Sequence, residues 1–405
     1  MKPIVRAGRM KPVHSDIRGP LFVEAMKRQK QGIDILKLNT GNPATFGFGL
    51  PDSIKNALME HMQDGVGYCD FKGMPQARQA ICDYETSKGI KGITPDDVFI
   101  GNGVSEVVSF ALTPLLNDGD EVLVPSPSYS LWGNSVYLED GKPVFYTCDE
   151  QANWYPDIQD IRSKITDKTK AIVIINPNNP TGVLYPKEIL LEIIQVAREF
   201  GLLIFADEIY DRLVMDGKQH ISLASLTEDV PVITLNGLSK SHCLCGYRCG
   251  WMVISGPRGL TEDYRQGIIQ LTSLRLCANT MAQIVIPAAL DDMETPASMV
   301  RPGGRIYEQR EATVRELEKI DGLSFVKNDA AFYVFPKLDV KKFNITNDKQ
   351  FAHDLLDVTN ILLVPGSGFD WKDPDHFRIV MLPQADILSD AIRRMGTFLD
   401  GYKQK

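Results

Sequence analysis

The sequence predicts an α/β fold, with a large domain built on a mostly parallel sheet flanked by helices and a second, smaller α/β domain. Three observations carry this. Short apolar runs alternate with longer amphipathic ones, the pattern of strands alternating with helices. Most of those runs are apolar on both faces, as in a sheet covered by helices on each side. The 405 residues, at roughly 100–200 residues per domain, provide for two or three domains and a large buried core.

Taken in order, the strand-like runs are residues 98–100, 121–124, 143–147, 171–175, 202–206, 232–235 and 251–254. The helical stretch 187–200 shows how the intervening helices are bounded, since Pro186 precedes it and Gly201 follows. From about residue 261 the character changes. A long helical region runs past Arg275 and Gln283, and another, 305–320, carries dense Glu/Arg pairing. Beyond it, strand-like runs at 331–335, 361–364 and 377–381 alternate with helices that include 349–359 and 384–399. The chain is accordingly divided into an N-terminal segment, 1–46, packing on the small domain or crossing the interface, a large domain, 47–290, and a small domain, 291–405.

Composition narrows the function. With 43% apolar, 24% charged and 8% aromatic residues, and no stretch near the ~18 uninterrupted apolar residues of a membrane helix, no membrane partner is expected. Lys and Arg number 44 against 52 Asp and Glu, a net charge of −8 with no basic block, which argues against nucleic acid. The first residues are charged and lack the apolar middle of a secretion signal, so the cytoplasm is the expected compartment. Seven cysteines without framework spacing fit free thiols. Cys243, Cys245 and Cys249 cluster beside His242, but C-x-C-x3-C is not a common zinc pattern, and they read as small packed thiols with no metal expected.

In open α/β sheets ligands sit at the carboxyl ends of the strands, so the residues following each strand carry the functional reading. After 98–100 comes Gly101-Asn-Gly-Val-Ser-Glu106 and then a helix, which is either a phosphate cradle of backbone N–H groups with the Ser105 hydroxyl or a tight turn with a helix cap. It lacks the third glycine of a dinucleotide fingerprint. After 121–124, Pro125-Ser-Pro-Ser-Tyr129 places an aromatic ring at the same edge. After 171–175, Asn176-Pro-Asn-Asn-Pro-Thr-Gly182 is a stiffened loop presenting three amides, or a plain rigid connection. After 202–206, Asp207-Glu-Ile-Tyr210 delivers a buried carboxylate that needs a cation or donors, or else caps the next helix. After 232–235 come Asn236-Gly-Leu-Ser-Lys240 and, eight residues on, Arg248. Desolvation among small residues would lower the Lys240 pKa and make it an amine nucleophile. A phosphate cradle, a stacking ring, an amide and a phenol, a carboxylate and a lysine are together what pyridoxal phosphate requires.

The strings Asn178-Asn-Pro-Thr-Gly182, Ala206-Asp-Glu-Ile-Tyr210, Ser239-Lys240 and Gly246-Tyr-Arg-Cys-Gly-Trp251 resemble the motifs of class I aminotransferases, the fold-type I pyridoxal phosphate enzymes. The likeness runs from Asn39-Thr-Gly-Asn-Pro43 and Gly67-Tyr68 to Phe377-Arg378-Ile379. It implies that Lys240 forms a Schiff base with pyridoxal 5'-phosphate, Asp207 pairs with the ring nitrogen, and Tyr210 and Asn179 hydrogen-bond the ring oxygen. Tyr129 would stack on the ring, while Gly103, Val104, Ser105, Ser239 and Arg248 surround the phosphate. Arg378 would bind the substrate α-carboxylate with Gly41 lining the pocket, and Tyr68 would reach the neighbouring subunit's phosphate in a homodimer.

Asp16-Ile-Arg-Gly-Pro20 and Ser273-Leu-Arg-Leu-Cys-Ala278 resemble the alanine, or glutamate–pyruvate, aminotransferase branch. Two positions depart from the pattern: Gly237 stands where many relatives have serine, and Ser15 where this branch commonly has tyrosine. The activity implied is ping-pong transfer of an amino group between alanine/pyruvate and glutamate/2-oxoglutarate, with Arg18 the candidate for the distal carboxylate and Arg275 the alternative. A cystathionine β-lyase-like enzyme would share the fold and Lys240. A nicotinamide-dependent dehydrogenase using the 101–106 glycines would leave Lys240, Asp207 and Arg378 unexplained.

Overall fold

The computed structural model describes residues 2–405. The N-terminal part contributes a helix, Pro20–Lys30, and a two-residue strand, β1 (Leu36–Lys37). The central sheet has eight strands: β2 (Val98–Asn102), β3 (Glu121–Ser126), β4 (Lys142–Asp149), β5 (Tyr155–Pro156), β6 (Thr169–Ile175), β7 (Leu203–Asp207), β8 (Val232–Gly237) and β9 (Cys249–Ser255). Their spatial order is β2-β9-β8-β7-β6-β3-β4-β5. All seven predicted runs lie within these strands or overlap them, and the edge strand β5, only two residues long, escapes the sequence pattern.

Both faces of the sheet are covered, which is why its strands read as continuous apolar runs. Val122, Val124, Ala171, Val173, Ile233 and Leu235 pack on one face with Ile268 of the helix Arg258–Arg275. Leu123, Ile172, Ile174 and Ile204 pack on the other with Ile193 and Ile194 of the helix Lys187–Phe200. Each Val, Leu or Ile among them contributes about 1.5–3 kcal/mol when removed from water.

The expected long helical region past Arg275 and Gln283 is interrupted. The helix Arg258–Arg275 stops at Leu276, whose φ of 77° is left-handed, and the chain resumes as Thr280–Ile284 and Ile286–Asp291. Among the described residues no single helix is long and apolar enough to cross a membrane.

The later strands are short: β10 (Leu323–Ser324), β11 (Tyr333–Val334), β12 (Lys337–Leu338), β13 (Ile361–Leu362), β14 (Val364–Pro365) and β15 (Phe377–Val380). They surround a separate apolar cluster with Leu317, Phe351, Leu355, Leu388 and Ile392, and Leu38 from the N-terminal part belongs to it. β1 pairs in parallel with β13, Leu36 opposite Ile361.

One topological detail positions the site. β2, β3, β6, β7 and β8 are mutually parallel, whereas β9 is antiparallel to both its neighbours, β2 and β8. The amino end of β9 therefore meets the carboxyl ends of the others, and Arg248, just ahead of Cys249, arrives at the same edge as Ser105, Asp207 and Lys240.

Candidate active site

That edge opens into a cavity of about 900 Å³, lined by Gly41, Val104, Ser105, Tyr129, Asn179, Asp207, Tyr210, Ser239, Lys240, Arg248, Arg378 and Arg18. Ser15 lines it as well. Its walls carry four cations, Arg18, Lys240, Arg248 and Arg378, against one carboxylate, Asp207. A chain of net negative charge thus encloses a pocket suited to an anion.

One end is built from Gly103 and Arg248. Gly103 has a φ of 85° and precedes the nine-residue helix Val104–Leu112, and a Cβ there would overlap the Arg248 guanidinium. Arg248 donates to Ser105 Oγ at 3.1 Å and to the Asn102 carbonyl at 3.4 Å, and among the described residues no carboxylate pairs with it. Guanidinium, hydroxyl and helix N-terminus form a cradle of donors that fits a phosphate. A Cβ at Gly237 would lie 2.5 Å from the Cys249 carbonyl oxygen, so the close approach of β9 to β8 takes the space a serine would need.

Asp207 ends β7, buried at 5% exposure. Trp132 Nε1 donates to its Oδ2 at 3.1 Å and the Ile209 N–H to its Oδ1 at 3.4 Å, but no cation forms an ion pair with it among the described residues. Burial lifts its pKa to about 6, against the lowering effect of these donors. A buried carboxylate so placed fits a ligand that brings a positive charge.

Arg378 presents the complementary case. It is buried at 1% exposure, donates to Asn179 Oδ1 at 2.8 Å and to the Asn39 carbonyl, and lies 4.6 Å from the ring centroids of Tyr333 and Phe369. Its Nε has no partner, and no described carboxylate pairs with it. Tyr333 also shares a 2.9 Å hydrogen bond with Tyr210 across their hydroxyls.

Lys240 lies in the one-turn helix Leu238–Ser241 directly after β8, and its Nζ donates to the Gly41 carbonyl at 2.9 Å. The expected fall in its pKa is not what the structure gives. Burial does pull it down, but the phenols of Tyr333 and Tyr129 and the Cys245 thiol outweigh that, and the amine sits above its ordinary value.

Two other candidates lie outside the cavity of their own chain. Arg275 is held by Glu106 at 2.5 Å and by the Phe71 and Ile100 carbonyls and does not line that cavity. Tyr68 does not line the cavity of its own chain and is 84% exposed. The thiols near His242 diverge: Cys245 donates to the Ser239 carbonyl, Cys243 faces Met299, and Cys249 lies within β9.

Sequence reasoning missed Trp132, Tyr333, Phe369 and Asn39, the residues that hold Asp207 and Arg378 in place. Trp132 follows Tyr129 by three positions on the next helix, a spacing that could have exposed it; Tyr333 and Phe369 read only as core.

The family model of aminotransferase class I and II matches residues 33–392. The glutamate-pyruvate aminotransferase AlaA of Haemophilus influenzae is 49% identical over 404 residues, covering all of both chains. The alanine aminotransferase of Mycobacterium tuberculosis is 45% identical over all of this chain and 94% of its own length. Among solved structures, an aminotransferase from Escherichia coli superposes with a TM-score of 0.98 at 46% identity over the full length of both chains. The alanine aminotransferase of Pyrococcus furiosus gives 0.93 at 40%, covering 98% of this chain and 100% of its own. With the family model spanning nearly the whole chain and the fold matching throughout, this protein belongs to the class I and II aminotransferases.

Proposed function

We propose that the chain transfers an amino group between alanine/pyruvate and glutamate/2-oxoglutarate, using pyridoxal 5'-phosphate held in the cavity. One observation carries this reading: a buried carboxylate without a cation, Asp207, and a buried guanidinium without a carboxylate, Arg378, face the same cavity as the Lys240 amine. Burying unmatched charge is costly, so both groups fit a ligand that brings the opposite charges. The names of the relatives, glutamate-pyruvate and alanine aminotransferase, support the substrate pair.

Pyridoxal phosphate, when bound, supplies an electron-accepting ring for the charge left at the substrate α-carbon. The rest is done by the chain. Gly103, Val104, Ser105, Ser239 and Arg248 hold the phosphate, and Tyr129 lies against the ring. Asp207 keeps the ring nitrogen protonated, while Tyr210 and Asn179 bond its oxygen. Arg378 grips the α-carboxylate of every substrate in a two-point fork, beside Gly41. Lys240 would be the attachment point, and its Nζ, when free, would take and return the substrate α-proton. Arg18, on the cavity wall with no partner among the described residues, engages the second carboxylate of glutamate. The exposed Tyr68 completes the site of a second copy, so the working unit is a homodimer of chains divided near residues 46 and 290.

Alanine supplied with 2-oxoglutarate should yield pyruvate and glutamate in equal amounts, and Lys240→Ala should abolish turnover by orders of magnitude. Release of ammonia and pyruvate from cystathionine, without transamination of alanine, would assign a β-lyase instead. Near-native transamination by Lys240→Ala without added amine would remove the central residue.

A further inference from the structure

Behind the cavity lies a buried charge cluster that the proposed reaction does not use. The Lys88 ammonium is 2.8 Å from Glu85 Oε2, 2.8 Å from Glu208 Oε2 and 3.1 Å from Asp211 Oδ2, and all three acids are buried. Asp211 Oδ2 also accepts from the Tyr84 hydroxyl at 2.6 Å and from Asn236 Nδ2 at 2.7 Å. Ser222 Oγ and the Leu223 N–H donate to Glu208 Oε1, and Trp251 Nε1 donates to Glu85 Oε1 at 3.1 Å. The Arg212 guanidinium lies 4.3 Å from the Tyr84 ring centroid, and His220 Nε2 is 3.1 Å from the Asn176 carbonyl. Burial pushes the Glu85 carboxyl up, against the lowering effect of Lys88, and the His220 imidazole down.

The cluster joins the two segments that carry the chemistry. Asp211 lies four residues after Asp207, and Asn236 four residues before Lys240. Asn236 Oδ1 in addition accepts from the Gly237 N–H at 2.7 Å, fixing the first peptide of the turn into the Lys240 helix. One side-chain bond therefore ties the start of that turn to the stretch after β7, and Lys88 and Tyr84 secure it from the helix Pro75–Ser87 and its C-terminal end.

We propose that Lys88, Asp211 and Asn236 are positioning residues for transamination: they clamp the Lys240 turn to the Asp207 segment and so set the amine against the carboxylate across the cavity. This rests on the reading that Lys240 and Asp207 are the working groups. An apolar contact at the same place would tolerate sliding. A donor seated on a buried carboxylate paired with Lys88 does not, and a misplacement of about 1 Å can cost about 100-fold in rate.

The test uses the cofactor-loaded protein. Asn236→Asp replaces the donor with an acceptor facing Asp211, Asp211→Asn does the converse, and the exchanged pair again sets one donor against one acceptor. The pair leaves the total charge of the facing groups Glu85, Lys88, Glu208, Arg212, His220 and Tyr84 with their two neighbours unchanged. We expect Asn236→Asp to lower kcat about 10- to 100-fold with KM for alanine within about 3-fold. It should also move the pH midpoint of the bound cofactor's visible absorbance by at least about half a unit, through altered alignment of Lys240 and Asp207. The exchanged pair should recover about 5-fold or more of the lost kcat. Lys88→Met should resemble Asn236→Asp, and Lys88→Arg should retain more activity. If Asn236→Asp does not fold, Asn236→Ala removes the donor without adding charge and is held to the same kcat and midpoint. Wild-type kcat and midpoint in these variants, or a loss the exchanged pair does not relieve, overturns the clamp. A wild-type protein with neither chromophore nor transamination fails the earlier reading instead.

Discussion

Replacing Arg378 with Met removes the one buried guanidinium in the cavity while keeping a long apolar side chain between Tyr333 and Phe369. The guanidinium spends one N–H on Asn179 and one on the Asn39 carbonyl, leaving its Nε and two further N–H groups for a ligand. Losing a desolvated, two-point charge pair costs about 3–5 kcal/mol. At about 1.4 kcal/mol per decade, kcat/KM should fall about 150- to 5000-fold. Because the α-carboxylate is common to all substrates, alanine and glutamate should lose alike. Stability should behave differently. With no carboxylate to strand among the described residues, Arg378→Met should leave the cofactor-free protein within about 2 kcal/mol of wild type, the lost ring contacts being offset by relief of an unpaired buried charge. Specificity constants for both amino acids, with urea unfolding of the cofactor-free protein followed by tryptophan fluorescence, measure the two arms. A loss below about 10-fold, a loss confined to one substrate, or a destabilisation of 3–5 kcal/mol would show that the guanidinium is structural, since about that much is lost on breaking a buried pair.

Asp207 has a folded pKa of about 6 against an ordinary 3.8, so in the cofactor-free protein its contribution is favourable below pH 4 and is lost as pH rises through about 6. Asp207→Asn should gain stability relative to wild type by ~1 kcal/mol more at pH 7.5 than at pH 5 in urea titrations, while losing activity when loaded; a pH-independent difference refutes this. His14 faces Asp16 at 3.7 Å and is hydrogen-bonded to Asp370 at 3.0 Å, and the two raise its pKa from 6.5 to about 9, so its hold on the N-terminal segment is complete below pH 6.5 and released above about 9. Proteolysis within residues 2–19 should accelerate through that upper range, and His14→Gln should remove the transition. Arg18→Ala should weaken glutamate more than alanine by about 1.5–3 kcal/mol, read as the ratio of the two specificity constants; an equal loss excludes it from selectivity. Tyr68→Phe and Lys240→Ala proteins, each impaired, should partly complement on mixing with proven subunit exchange, and no recovery would place each site within one chain.

The strands were legible because burial on both sheet faces leaves an uninterrupted apolar signal, and Asp207, Lys240 and Asn179 were legible because each follows such a run. What the sequence concealed is relational. The reversal of β9 puts Arg248 next to Ser105, 143 residues away in the chain, and no local pattern announces a reversed strand in a parallel sheet. Trp132 and Tyr333 serve the site as neighbours of charged groups, yet in sequence they have the composition of core residues. The Lys240 pKa differs from the expectation in part for the same reason: desolvation can be read from small flanking residues, but of the three groups that outweigh it, Tyr333, Cys245 and Tyr129, the two phenols come from distant parts of the chain. The break at Leu276 carries no proline or glycine, so the helix before it seemed to continue.

The pairing of β1 with β13 has a consequence for how the chain is made. Residues 36–38 emerge from the ribosome among the first, yet the partners that bury them, from Leu317 to Leu399, are synthesised last. The eight-stranded sheet can close as soon as β9 is complete, because all its strands lie between residues 98 and 255. The segment bearing Arg18 can meet the large domain earlier, through Arg9 to Asp140 and His14 to Asn134, but its bond from His14 to Asp370 must wait for almost the whole of translation. Long-range closure of this kind slows folding and leaves apolar surface open meanwhile. A nascent chain halted before residue 361 would thus hold a closed sheet while β1 had no strand to pair with and Arg378 was missing from the cavity, so completion of the pocket is among the last events of synthesis.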